Sequence, residues 1–210
     1  MAGTVRRSVL FTLGWVACVT LAAAGEPLLA TLAVAGIVAL HLASVPVAVK
    51  EALLLVTVAV IGMAWESLLV HMGIVRYPGD ASGGALAPHW IVALWVLFGT
   101  TLNHGLRWIK RDWRLAAAAG LIGGPLAFLG GAGLGAVELN DTIFALLAIG
   151  AGWGLLLPTL ALIADTIIDA AWLEPRDGLL IEQRPQAPRE AGNAEPVPVP
   201  VFDKESTHGR

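Results

Sequence analysis

Four side chains interrupt otherwise apolar sequence: His41 in ALHLAS, Glu66 in MAWESLL, and the adjacent Asn103 and His104 in TTLNHGL. An ionisable group held in hydrocarbon costs at least about 2.5 kcal/mol even on a lenient insertion scale, so such residues are functional candidates by default. Glu66 is the only acid well inside an apolar run. Facing a bundle interior it would suit a proton-coupled step or a cation site; at an outer interface it would pair with His71 or Arg76. His41, Asn103 and His104, extended by Thr100, Thr101 and Arg107, could hydrogen-bond across helices, bind a lipid headgroup or relay a proton. The alternative is that Asn103 and His104 fasten helices, at about 0.6 kcal/mol per contact. No carboxylate is expected at their depth, so a metal centre would have two imidazoles and lack its remaining ligands; no metal and no cofactor are expected. Asp165 and Asp169 read as solvated acids at the end of the last apolar run.

The elements that must position these residues follow from composition. The chain is 57% hydrophobic and 14% charged, against a usual charged share of about a quarter. Of its charged residues, 12 fall in the last 38 positions. This excludes a soluble enzyme, a nucleic-acid binder and a secreted disulfide scaffold, and the lone Cys18 excludes an internal disulfide or a CxxC metal motif.

A helix needs roughly 20 apolar residues to cross a bilayer, and about 17 at the short end. Six runs qualify: 9–24, 28–45, 52–70, 90–109, 115–136 and 142–164. Lipid offers the backbone no partners, so runs of this length must be helices. The expected fold is an all-α polytopic transmembrane helix bundle of six spans over residues 1–172, followed by a disordered cytoplasmic tail, 173–210, rich in proline and mixed charge. By a rise of about 1.5 Å per residue, Glu66 lies roughly 21 Å up its span, and His41, Asn103 and His104 share a layer near the opposite boundary.

Lys and Arg favour short cytoplasmic loops. Arg6, Arg7, Lys50, Arg107, Lys110, Arg111, Arg114 and Arg176 fall on the N-terminal side of these spans and Arg76 alone on the other. Both termini are therefore expected in the cytoplasm. Trp108, Trp113 and Trp172 read as inner interfacial aromatics and Trp90 as an outer one. The start, with Arg6-Arg7 and Ala22 to Ala24, imitates a cleavable signal. It is read as a retained span, because the turn Gly25 to Pro27 leads directly into the next one.

The fifth run, GLIGGPLAFLGGAGLGA, carries Gly120/Gly124 and Gly131/Gly135 at the spacing that lets helix backbones approach. Pro125 between them is expected to kink the helix. No strand precedes these glycines, so a dinucleotide-binding reading is rejected.

The segments GMAWESLLVHMGIV, TTLNHGLRWI and GGPLAFLGGAGLGA, with an early Gly14-Trp15, resemble the bacterial inner-membrane family called domain of unknown function 2878. The resemblance covers residues 8–170, and Asn103-His104 and Gly124-Pro125 carry it most specifically. Departures include Glu66 where an Asp is usual and Gly133 where an Arg is usual. The resemblance implies no activity, cofactor or catalytic residue, and at most an association with fatty-acyl modification of membrane lipids.

Two readings follow. One is a non-enzymatic accessory to lipid modification or envelope maintenance, with membrane lipids and a membrane protein as partners. The other is a small transporter or intramembrane lipid-acting enzyme using Glu66 and the His41, Asn103, His104 layer.

Overall fold

The computed structural model describes residues 2–78 and 86–169, which lie within one compact unit ending at Glu174. The expected tail, Trp172, Arg176 and the loop around Gly79 to Gly84 fall outside the described residues.

The molecule is an all-α bundle. Its helices are α1 (Ala2–Ala23), α2 (Pro27–Ser44), α3 (Ala48–His71), α4 (His89–Leu102), α5 (Trp113–Gly133) and α6 (Thr142–Asp169). A 3-10 turn spans Ile109–Arg111, and two short strands, β1 (Val75–Arg76) and β2 (Glu138–Leu139), pair antiparallel. All but α4 are long and apolar enough to cross a membrane. On α6, Leu147, Leu155 and Leu162 recur at helical spacing and are all exposed, a stripe that an aqueous protein would cover and that hydrocarbon solvates without cost.

Two boundaries differ from the sequence expectation in ways that shape the site. The third apolar run becomes helical at Ala48, because Pro46 ends the preceding segment and the ladder starts with Glu51 N–H on Val47 O. Lys50 and Glu51 thereby enter the first turn of α3, and both are buried. The fourth run stops being helical at Leu102, well short of Ile109. The amides of His104 and Leu106 both turn back to Thr101 O, and the chain coils through Asn103 to Trp108 before the 3-10 turn.

Helices α5 and α6 form the closest pair. A Cβ on Gly120 would fall 2.1 Å from Trp153 O, and one on Gly124 would fall 2.4 Å from the Trp153 ring. Gly152 is equally intolerant, with Trp65 1.9 Å from where its Cβ would be. Pro125 removes the partner of the Leu121 carbonyl, yet α5 continues through it. Gly150 of α6 approaches that carbonyl, its hypothetical Cβ 3.0 Å from Leu121 O. Gly135, expected to pack a helix with Gly131, lies instead in the turn after α5 with φ of +83°, a left-handed conformation that glycine adopts without strain.

The β1–β2 pairing sets Val75 against Leu139 and Arg76 against Glu138. Asn140 adds bonds from its side chain to Gly73 O at 2.6 Å and from its amide to Ile74 O. These ties fix the chain leaving α3, and so the position of Tyr77.

Candidate functional site

Among the described residues, the buried ionisable side chains gather in two places, one toward each end of α3. At the end carrying the start of α3 and the end of α4, Glu51 is the hub. His41 Nε2, from α2, donates to Glu51 Oε1 at 2.8 Å. Asn103 Nδ2 donates to Oε2 at 3.0 Å. His104 Nε2 lies 3.2 Å from Oε1, within ion-pair reach though not aligned as a hydrogen bond. The two imidazoles meet edge to face with centroids 5.3 Å apart. The network continues outward, because Lys110 Nζ donates to Asn103 Oδ1 at 2.7 Å and to Asp165 Oδ1 at 2.8 Å. On the far side Arg7 of α1 donates to His104 Nδ1. Beside them Lys50 Nζ donates to Ile168 O at 2.6 Å.

His41, Asn103 and His104 are thus brought into one cluster, but around a carboxylate, Glu51, that lies just outside the expected third run, 52–70. The expectation that no acid lies at their depth is corrected: starting α3 at Ala48 turns Glu51 inward. The signal was available in the spacing. Glu51, Leu54, Leu55, Val58, Gly62, Glu66 and Leu69 are all buried on α3, the recurrence of a single helical face. Asp165 is likewise half exposed but paired, where a free solvated acid was expected. Thr100 and Thr101 do not bond across helices. Their hydroxyls return to Leu97 O and Phe98 O within α4, as threonines in apolar helices commonly do.

His41, Glu51 and His104 offer ligand atoms within 4.8 Å of one another, two nitrogens and an oxygen, which is the set of a three-ligand zinc site with one open position. In the structure these atoms already have neighbours within the protein: His41 Nε2 donates to Glu51 Oε1, and the Arg7 guanidinium is directed at His104 Nδ1. The same cluster floors a cavity of about 1190 Å³ that is also lined by Lys50, Arg107, Lys110 and Arg111.

The second place is the far half of α3. Glu66 is 1% exposed; Tyr77 Oη donates to its Oε2 at 2.5 Å and Trp95 Nε1 to its Oε1 at 2.9 Å. Neither His71 nor Arg76 reaches it: His71 is exposed, and Arg76 pairs with Glu138 at 3.5 Å on the surface. Burial, and then the Glu66 charge, holds the Tyr77 hydroxyl well above its ordinary range, so it remains a donor. Trp90, expected at an interface, is 4% exposed and packs edge to face on Tyr77. Glu66 borders an apolar cavity of about 110 Å³ walled by indole and phenyl rings. Tyr77 was missed in sequence because it lies in a loop; it is the chain's only tyrosine.

The family model described as "Protein of unknown function (DUF2878)" matches residues 4–159. No curated protein and no solved structure matches the chain.

Proposed function

The chain belongs to the DUF2878 family, and from that premise we propose a multi-pass protein of the bacterial inner membrane, both termini cytoplasmic, that binds the headgroup of an anionic membrane lipid without transforming it. The observation that carries this is the cavity of about 1190 Å³ at the Glu51 end. It exceeds the size usual for small-molecule sites, roughly 300–1,000 Å³. Lys110 and Glu51 are already engaged in the network, whereas Arg107 and Arg111 line the mouth as exposed cations, suited to phosphate oxygens.

The surroundings support a membrane boundary at this level. Trp108 and Trp113 are 51% and 67% exposed, as aromatics at headgroup depth are. Arg6, Arg7, Lys50, Arg107, Lys110, Arg111 and Arg114 all gather there, and each basic residue near an anionic leaflet is worth about 1 kcal/mol. A role beside enzymes that modify lipid acyl chains is consistent with a protein that holds a lipid by its head while its chains stay in the bilayer.

The test is the lipid retained on purification. The protein, extracted in mild detergent, is expected to carry phosphatidylglycerol or cardiolipin in preference to phosphatidylethanolamine by native mass spectrometry. Arg107→Ala with Arg111→Ala should lose that preference. Equal retention of zwitterionic and anionic lipids by the wild type would refute the headgroup site. An unchanged acyl-chain profile in cells lacking the gene would remove the link to lipid modification.

A further inference from the structure

The buried carboxylate of Glu66 has no cationic partner among the described residues. Its two bonds come from neutral donors, the Tyr77 hydroxyl and the Trp95 indole. A carboxylate in an apolar interior must be neutralised, by a proton or by a cation, and here both of its oxygens face donors, Oε2 the Tyr77 hydroxyl and Oε1 the Trp95 indole. The adjoining cavity is lined by Trp15, Trp90, Trp95, Trp153 and Phe98, half of the chain's eight tryptophans.

We propose that this cavity is a binding site for a small organic ammonium ion, with the Glu66 carboxylate as its counter-charge and the surrounding rings as its walls. The proposal goes beyond the headgroup site and does not depend on it, since the two lie at opposite ends of α3. Three features select the ligand class. A metal cation would need six or more oxygen ligands, or a rigid octahedral set of oxygens, and among the side chains of the walls only Glu66 carries oxygen. An alkyl chain would gain nothing from a carboxylate in its wall. An alkylammonium ion instead satisfies both parts, because aromatic rings attract a cation through their quadrupoles within about 6 Å of the ring centre. Size agrees as well. A dry cavity of about 150 Å³ takes benzene, so the 110 Å³ here fits about four or five heavy atoms, the size of a methylated ammonium group.

The experiment uses the full chain purified in non-ionic detergent and follows tryptophan fluorescence during titration with tetramethylammonium chloride. Tert-butyl alcohol serves as the neutral probe of similar size, and sodium chloride as the ionic-strength control. A saturable change with tetramethylammonium alone is expected. Glu66→Gln should weaken it at least tenfold while eluting like the wild type, and Arg107→Ala with Arg111→Ala should leave it intact. An equal response to tert-butyl alcohol, no saturable response to tetramethylammonium, or a response that survives in Glu66→Gln would each overturn the proposal. If Glu66→Gln elutes as aggregate, the comparison of the two probes on the wild type decides alone.

Discussion

Glu51 and Glu66 share one face of α3 and are almost equally buried, at 5% and 1% exposure, yet their surroundings are opposites. Glu51 accepts from an imidazole and an amide, lies against a second imidazole, and connects through these to Arg7, Lys110 and Asp165 on three other elements. Glu66 meets two neutral donors and an aromatic wall. A buried charge whose every neighbour is already engaged acts as a fastener. One that is solvated only by neutral groups has capacity left for a ligand. Position on a helix and depth of burial are therefore insufficient to rank buried acids; the charge balance around each separates structure from binding.

That contrast can be broken most forcefully at Glu51. Replacing it by Ala leaves two histidines, Asn103 and the Arg7 contact without their centre, and removing one member of a buried ion pair costs about 3–5 kcal/mol. Thermal unfolding in detergent should fall sharply, and the amount in the membrane with it. A variant of ordinary stability would mean the network fastens nothing. Next comes the wall of the second site. Gly124→Ala drives a methyl group toward the Trp153 ring, and overpacking of this kind costs about 1–3 kcal/mol. It should also weaken the ammonium response by displacing Trp153, whereas Gly36→Ala, with nothing within 4 Å of its Cβ, should change neither. Glu66→Gln is expected to alter stability by no more than about 1 kcal/mol, since an amide can keep a bond to Tyr77 or Trp95 while no charge pair is lost. The smallest effect belongs to Arg76→Ala. Its pair with Glu138 is exposed on both sides, and such pairs are worth about 0.2–1 kcal/mol, so a melting shift beyond that range would reveal a larger role for the β1–β2 tie.

The bundle was legible in the sequence because hydrocarbon leaves the backbone no alternative to helix, and length and hydropathy then suffice. The grouping of His41, Asn103 and His104 was legible for a related reason: residue rise along consecutive antiparallel runs gives depth. Glu51 was not. Beside Pro46 and Lys50 it looks like the charge that closes a turn, and hydropathy carries no information about which way a residue in the first helical turn points. The early end of α4 at Leu102 was hidden for the opposite reason, since Leu106 and Ile109 keep the run apolar while the backbone bends to deliver Asn103 and Lys110 to the network. The link between Tyr77 and Glu66 depends on the β1–β2 pairing, a contact between residues far apart in sequence that no local pattern announces. Gly131 and Gly135 show the limit of spacing alone, because the same interval serves a helix face in one pair and a turn in the other.

The central claim is that one buried acid holds the bundle together and the other does not. It is tested most directly by melting Glu51→Gln and Glu66→Gln side by side, in the same detergent and at the same pH. Both substitutions are isosteric and both remove one charge. The expected result is a large drop in melting temperature for Glu51→Gln, which breaks the charge balance with Arg7 and Lys110, and little change for Glu66→Gln. Equal losses in the two variants, or a greater loss for Glu66→Gln, would contradict it.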